Sequence, residues 1–310
     1  MELDESLKLL HLLLKEKIGS GVEIVHYKIG NQRHDYVVLL VQLRSPALGL
    51  VVKLAGPEAP YDYPFERTAV IHRLVAANTT IRMPEVIAVD VSYQAWPWRY
   101  LIKTHIPGIE WDAVQPQMSA EELPDAYRQI GNAVAQLHTI AFPAFGELSG
   151  DGQVEAGRPY LAVLQARANH FIKTERLRDY FSAVLARSAH LFDDVSTANL
   201  CHEDLHRYNI LFENRQGQWH LTTILDFDKA WAGHRETDLA RLDLWTGMTN
   251  EAFWQAYNAV YPVDPLYRQR RPVYQLLWCL EVAWPTAKHL ADTRQVCLEL
   301  DFPAIESFEY

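Results

Sequence analysis

The sequence predicts an α+β protein of two lobes, in which a small antiparallel sheet with one main helix precedes a mostly helical second lobe. Runs rich in Val, Leu, Ile and Tyr, separated by turn residues, predict the first strands at residues 22–29, 36–43 and 49–54. The apolar period then becomes helical, over residues 121–140 and through most of residues 236–298. We therefore predict an N-terminal lobe over residues 1–106 and a C-terminal lobe over residues 107–310.

The N-terminal lobe contains two predicted helices and two further predicted strands. The main helix is predicted to begin near Phe65, and the strands cover residues 84–89 and 99–106. Before the first strand, four leucines fall on one face of a predicted amphipathic helix: Leu3, Leu7, Leu10 and Leu14. Acidic residues precede this helix and polar residues interrupt it, so we do not expect a secretory signal peptide.

Composition limits the partners and the location that we expect. The chain has 310 residues, a formal net charge of −10 and no stretch long and apolar enough to span a membrane. An acidic chain repels a phosphate backbone, so we expect no nucleic-acid partner. The three cysteines fit neither a disulfide framework nor a CxxC zinc pair, which favours a reducing cytoplasm. A monomer and a homodimer are both compatible with these properties.

The strongest local signal is the segment HEDLHRYN at residues 202–209, which matches the pattern H-x-D-L-x-x-x-N. Phosphoryl transfer needs a carboxylate that orients the attacking hydroxyl, oxygen ligands for Mg²⁺, a cation on the phosphates and a group that positions this cation. Residues of these types follow one another along the chain in the expected order: Lys53, Glu66, Asp204, Asn209 and Asp226. Their joint occurrence, on the expected types of element, predicts phosphoryl-transfer chemistry.

Several segments resemble the aminoglycoside phosphotransferase family and its choline-kinase and fructosamine-kinase relatives. These segments are residues 66–69, 100–108, 137–138, 202–209, 224–230 and 237–240. The resemblance covers roughly Ile24 to Trp245 and implies a bilobal protein-kinase-like fold. It implies a kinase that moves the γ-phosphate of ATP or GTP, with Mg²⁺, to a hydroxyl of a small molecule. The acceptor stays open among an antibiotic, an amino-sugar and a metabolic alcohol.

The resemblance also implies a role for each motif residue. Asp204 corresponds to the catalytic base, and Asn209 and Asp226 correspond to the Mg²⁺ ligands. Lys53 corresponds to the lysine that contacts the α- and β-phosphates, and Glu66 to its ion-pair partner.

Further positions support the nucleotide and the catalytic loop in this resemblance. Thr104 and Ile106 would bind adenine through their backbone, and His202 would support the loop. Asp238 would cap its own helix and brace the loop from below. The sequence departs from the family at Glu203, where the family usually has glycine. This carboxylate is expected either to raise the pKa of Asp204 by like-charge repulsion or to point into solvent.

An acidic and aromatic group in the C-terminal lobe is a candidate acceptor pocket. It comprises Trp245, Trp278, Trp284, Asp243 and Glu281. Such a pocket suits an amine or a sugar ring, including a cationic acceptor, whereas the structural alternative is a set of ordinary core aromatics.

Three other interpretations compete with a small-molecule kinase. The string H-E-x-x-H at residues 202–206 is the motif of zinc peptidases, which needs both histidines on one helical face. A regulatory protein kinase needs a longer segment than the one between Asp226 and Asp238, and an A-P-E motif that does not follow here. A non-catalytic pseudokinase is disfavoured because the set of motif residues is intact.

Overall fold

The computed structural model describes residues 3–154, 158–245 and 247–308, with side chains from residue 8 onward. The chain forms two compact units. The first comprises Met1–Glu110, Ser149–Gln153 and Leu211–Asp228. The second comprises Trp111–Leu148, Val154–Ile210 and Lys229–Tyr310. The predicted lobe boundary after residue 106 stays a prediction, because this grouping does not test which segments bind nucleotide and which bind the acceptor.

The first unit contains a five-stranded antiparallel sheet in the order β1-β2-β3-β5-β4 and a small sheet in the order β10-β9-β6. Its strands are β1 (Glu23–Arg33), β2 (Tyr36–Ser45), β3 (Leu48–Ala55), β4 (Val86–Asp90), β5 (Arg99–Thr104), β6 (Ile109–Glu110), β9 (Ile210–Arg215) and β10 (Gln218–Ile224). Its helices are α1 (Leu3–Ile18) and α2 (Phe65–Asn78), and a 3₁₀ turn over Phe227–Lys229 follows β10. The predicted antiparallel sheet with one main helix is confirmed.

The core of the first unit follows from the alternation of side chains along β2 and β3. Alternate residues of β2, including Val37, Leu39 and Val41, are buried in one apolar cluster with Leu10 and Leu14 of α1. The predicted apolar face of α1 is therefore confirmed at these two leucines, while the side chains of the other two predicted leucines, at positions 3 and 7, lie outside the described residues.

The second unit is mostly helical, as predicted. Its helices are α3 (Trp111–Val114), α4 (Leu123–Thr139), α5 (Tyr160–Phe171), α6 (Glu175–Arg187), α7 (Glu236–Leu244), α8 (Glu251–Val260), α9 (Tyr267–Val282) and α10 (Ala287–Glu299), with 3₁₀ turns at Gln115–Gln117 and Ala189–Phe192. A small antiparallel sheet in the order β11-β8-β7 is formed by β7 (Ala141–Phe142), β8 (Ala198–Cys201) and β11 (Trp231–Gly233).

Close packing of α4 against α8 depends on Gly131. A Cβ atom at this position would lie 2.4 Å from the carbonyl oxygen of Phe253, so no larger residue fits without moving α8.

Among the residues that the structure describes, no helix is long and apolar enough to cross a membrane. Cys201, Cys279 and Cys297 are free and buried, so the chain forms no disulfide.

Candidate active site

Lys53 holds two carboxylates in the first unit. It lies on β3, only 8% of its surface is exposed, and its Nζ is 2.8 Å from Asp228 Oδ2 and 3.4 Å from Asp226 Oδ1. Burial would lower the pKa of Lys53, but the charges of Asp228 and Asp226 outweigh burial and raise it above its ordinary value. The ammonium group is therefore charged throughout the physiological range.

Asp228 is the partner of Lys53 that the sequence analysis did not assign. Thr68 Oγ1 on α2 donates to its Oδ1 over 2.9 Å, and Arg67 Nη2 donates to its backbone carbonyl over 2.8 Å. Burial would raise the pKa of Asp228, but the nearby ammonium of Lys53 keeps it well below its ordinary value. The available signal was the acidic residue two positions after Asp226, within the segment 224–230 that resembles the family.

The structure does not bring Glu66 to Lys53. Among the described residues, Lys53 forms ion pairs with Asp226 and Asp228 and not with Glu66. Glu66 is exposed at the start of α2. Its carboxylate lies beside Gly150 and borders an open cavity of about 530 Å³. The neighbouring residues Arg67 and Thr68 make the contacts that α2 contributes to this site.

Asp226 and the strand end at Thr104 are the remaining predicted residues of the first unit. Asp226 has a φ of 65° in the left-handed region, and 47% of its side chain is exposed. The N–H of Thr104 donates to Glu85 O over 2.9 Å, and its Oγ1 accepts from Glu85 N. Because the N–H of Thr104 is already bonded, the groups left for the predicted purine contact are the carbonyl of Thr104 and the backbone of Ile106. The side chain of Ile106 is buried.

The segment 202–209 of the second unit forms a loop whose backbone is held by Asp238. Both carboxylate oxygens of this fully buried residue accept N–H groups, from His202 at 2.7 Å and from Glu203 at 2.8 Å. His138 Nε2 lies 3.1 Å from the same carboxylate. The predicted brace is therefore confirmed. The predicted helix cap is wrong, because α7 begins after Arg235 and has no side-chain cap.

Asp204 lies in this loop among cationic groups. Arg241 Nη2 donates to its Oδ1 over 3.0 Å, Lys229 Nζ lies 3.5 Å from the same oxygen, and His206 Nε2 lies 4.0 Å from Oδ2. Burial would raise the pKa of Asp204, but the charges of Arg241 and Lys229 outweigh burial and lower it below its ordinary value. The carboxylate is thus ionised at neutral pH, as a proton acceptor must be.

Further local hydrogen bonds shape the rest of the loop. The N–H of Asp204 donates to His202 Nδ1 over 3.1 Å, so the predicted supporting role of His202 is confirmed. Asn209 Nδ2 donates to the carbonyl of Asp204 over 2.9 Å, and this leaves the amide oxygen of Asn209 as its free end.

Glu203 is buried, contrary to the expectation that it could point into solvent. It is 8% exposed, and its Oε1 accepts a hydrogen bond from Trp231 Nε1 over 2.9 Å. Its φ of 60° is the left-handed conformation that glycine adopts without strain, which accounts for glycine at this position in the family pattern. That Glu203 raises the pKa of Asp204 stays a prediction, because the net pKa of Asp204 is lowered below its ordinary value by the charges of Arg241 and Lys229 against the effect of burial.

The same backbone excludes the zinc-peptidase geometry. Residues 202–206 lie in the loop between β8 and β9 and not in a helix, and the N–H of Asp204 already occupies His202 Nδ1. The two histidines therefore do not share a helical face, which the H-E-x-x-H motif requires.

A row of aromatic residues extends from Arg241 in the second unit. The Arg241 guanidinium lies 5.2 Å from the centre of the Trp278 ring, and Trp278 contacts Trp245 and Trp284 at ring separations of 4.9 and 6.0 Å. Burial raises the pKa of Glu281, one turn away from Trp278 on α9, to about 7. Asp243 is instead bonded to Thr249 and Tyr267 and is a brace of α7.

Asp226 and Asn209 each carry an oxygen donor of the kind that Mg²⁺, a hard cation, takes as a ligand. Asp226 offers a half-exposed carboxylate in the first unit, and Asn209 offers an amide oxygen in the second. Neither residue brings a sulfur or imidazole ligand that would favour a softer metal.

The α+β fold of the chain is kinase-like, and a match to a family model gives its class. The family model described as "Phosphotransferase enzyme family", APH, matches residues 28–273. The chain therefore belongs to the APH phosphotransferase family and is a small-molecule kinase. This assignment also removes the regulatory protein kinase and the pseudokinase from the alternatives.

Known proteins similar to the chain are named for different types of acceptor. A protein named as a ketoamine kinase in Lactiplantibacillus plantarum is 38% identical over 82 residues, which cover 26% of this chain and 27% of that protein. The match thus spans about a quarter of that relative. A structure described as a fructosamine-3-kinase from Thermobifida fusca has a TM-score of 0.65 at 20% identity and covers 93% of this chain and 97% of that one.

Two further solved structures share the fold. A thermostable mutant of the aminoglycoside phosphotransferase APH(4)-Ia, in complex with AMP-PNP and hygromycin B, has a TM-score of 0.65 at 15% identity and covers 94% of this chain and 96% of that one. The ethanolamine kinase of Plasmodium vivax has a TM-score of 0.63 at 14% identity and covers 100% and 92%. At these identities the likeness shows the fold alone.

Proposed function

We propose that this kinase transfers the γ-phosphoryl group of a nucleoside triphosphate to a hydroxyl of a small molecule, with Asp204 as the base. The observation that carries this proposal is the state of Asp204. Its carboxylate is ionised, held by Arg241 and placed on a loop whose backbone Asp238 fixes. Such a carboxylate can orient a hydroxyl for attack and accept its proton.

The other roles follow from the chemistry of each side chain. The ammonium of Lys53, with its charge secured by Asp228, would bind the phosphates of the nucleotide. Asp226 and Asn209 would hold Mg²⁺ through oxygen atoms. When bound, the metal neutralises charge on the phosphates during transfer. The backbone at Thr104 and Ile106 is proposed to contact the purine.

We infer that the acceptor carries several hydroxyl groups. Within the described residues, Glu281 Oε1 is a buried acceptor without a hydrogen-bond partner, and the indole N–H groups of Trp245 and Trp278 are buried donors without one. Unpaired buried polar groups destabilise a protein, and a sugar hydroxyl both donates and accepts. Sugar-derived ketoamines are therefore the first acceptors to test, since a relative that is 38% identical over 82 residues is named for them.

The decisive experiment is a screen for release of nucleoside diphosphate. Purified protein with Mg²⁺ and either ATP or GTP would be offered ketoamines, amino-sugars, aminoglycosides and small amino alcohols. We expect turnover with at least one polyhydroxylated acceptor and none with the Asp204→Asn variant. Turnover that persists in this variant would show that Asp204 is not the base.

Nucleotide binding can be tested without the acceptor. A nucleotide at a hundredfold excess over its Kd should stabilise the fold by about 2.7 kcal/mol, in a manner that depends on Mg²⁺. The absence of a thermal shift with every Mg²⁺–nucleoside triphosphate at millimolar concentration would contradict the proposal.

A further inference from the structure

Lys103 is a buried lysine without a partner in the first unit. It lies on β5, and only 5% of its surface is exposed. Among the described residues it forms neither a hydrogen bond nor an ion pair, whereas Lys53 in the same sheet contacts two carboxylates. A mostly buried ammonium without a partner in the protein has donors that a ligand can use.

This lysine is mostly charged at neutral pH. Burial lowers its pKa, and the nearby charge of Lys53 lowers it further, while Asp228 and Asp226 act in the opposite direction. The result is a pKa of about 8, which leaves the protonated form dominant at pH 7. Its three N–H groups are donors, and it offers no acceptor.

The register of the sheet shows where Lys103 points. Lys53 on β3 pairs with Leu101 on β5, and Val51 pairs with Lys103. Directly opposed residues share a face, as do residues two apart on one strand, so Lys53 and Lys103 are diagonal neighbours on one face, with Cα atoms about 7–8 Å apart. Lys103 is displaced from Lys53 toward Thr104, its immediate neighbour in the chain.

We propose that Lys103 reads the purine base and makes a 6-oxopurine nucleotide such as GTP the preferred phosphoryl donor. The inference rests on the proposed function, in which Lys53 contacts phosphate and the backbone from Thr104 to Ile106 contacts the base. Guanine presents two acceptors, O6 and N7, on one edge, whereas adenine presents a donor, its 6-amino group, in place of O6. A side chain that only donates matches the guanine edge and opposes the amino group of adenine.

The adenine nucleotide in a solved relative does not decide this question. That protein is 15% identical to this chain, so the similarity shows a shared fold and does not show which purine base this chain binds.

The test is calorimetric titration with Mg²⁺ and GTP, ITP or ATP, which needs no acceptor. ITP carries O6 and N7 but lacks the 2-amino group of guanine, so it isolates the edge that Lys103 would contact. We expect the wild-type protein to bind GTP and ITP roughly tenfold or more tightly than ATP. Lys103→Met, which keeps an unbranched side chain, should abolish this preference and raise the thermal midpoint of the free protein, because it removes a buried unpaired charge.

Lys53→Met is the matched control on the same face of the sheet. It should weaken all three nucleotides by the same factor. Equal binding of GTP and ATP by the wild-type protein would overturn the inference, as would an equal loss for both in Lys103→Met, which would show a phosphate contact. Should Lys103→Met fail to fold, Lys103→Gln replaces it. The ratio of the Kd values for ATP and GTP in the wild-type protein is decisive even without a variant. If no nucleotide binds, the proposed function fails and the inference fails with it, whereas binding without base preference overturns only the inference.

Discussion

Arg241 donates a hydrogen bond from Nη2 to Oδ1 of Asp204 over 3.0 Å, and its guanidinium also lies against the Trp278 ring. Arg241 is 5% exposed, so water screens this pair only weakly. The arginine therefore lowers the pKa of the proposed base and fixes one of its oxygens, which leaves the other oxygen for the acceptor hydroxyl.

Replacing Arg241 should move the acidic limb of the pH–rate profile to higher pH. Asp204 must be ionised to accept a proton, and Arg241 lowers its pKa, so Arg241→Met should raise this pKa. Activity should then fall more at mildly acidic pH than at mildly alkaline pH, as measured by kcat/KM across the range. Arg241→Lys, which keeps the charge, should recover part of the shift. A limb that stays in place in Arg241→Met would show that the arginine does not set the pKa of the base.

Asp204 and Asp226 should differ in what their loss affects. Asp204→Asn removes the proton acceptor, so kcat should fall by about 10²–10⁴-fold while the Kd of the Mg²⁺–nucleotide complex changes little. Asp226→Asn removes charge from the proposed metal site, so it should weaken nucleotide binding as well as turnover. Calorimetric binding together with steady-state kinetics separates the two effects. A large loss of nucleotide affinity in Asp204→Asn would contradict the assigned roles.

Glu203 should be a structural residue and not a modulator of the base. Its carboxylate accepts from the buried indole of Trp231, and the main charges acting on Asp204 are those of Arg241 and Lys229. Glu203→Gln keeps an acceptor for the indole and should leave the acidic limb of the rate profile unchanged. Its comparison is Arg241→Met, which should move the limb. A shift of the limb to lower pH in Glu203→Gln would restore the repulsion that the family comparison suggested.

Asp238 should contribute strongly to stability. Asp238→Ala would leave the N–H groups of His202 and Glu203 buried and unpaired, which should lower the free energy of unfolding by roughly 3 kcal/mol. Urea unfolding measures this loss. Asp243→Ala is the control on the same helix, and its effect should be smaller because Asp243 bonds the side chains of Thr249 and Tyr267. An equal decrease in the free energy of unfolding in both variants would show that the hydrogen bonds from Asp238 to the loop contribute no more to stability than those of Asp243.

The sequence by itself determined the parts of the site that lie close along the chain. Asp204, His202 and Asn209 belong to one short loop, and the support that His202 gives to this loop was expected from the family resemblance, whereas the hydrogen bond from Asn209 to the carbonyl of Asp204 was not. A tight loop leaves its backbone few arrangements, so neighbouring positions carry enough information to predict contact. The same holds for the strands and helices, whose apolar periods are local.

Only the tertiary structure decided which distant side chains meet. Lys53 and Asp228 are separated by 175 positions, and Asp204 and Arg241 by 37. The order of the motif residues predicted Glu66 as the partner of Lys53. A carboxylate at position 66 or at position 228 could equally well pair with the ammonium group of Lys53. The choice depends on which side chain fills the space above β3, and there α2 contributes Thr68 and not Glu66. Contacts between distant elements depend on how these elements pack in three dimensions. The order of residues along the chain therefore does not predict which of two candidate carboxylates meets Lys53.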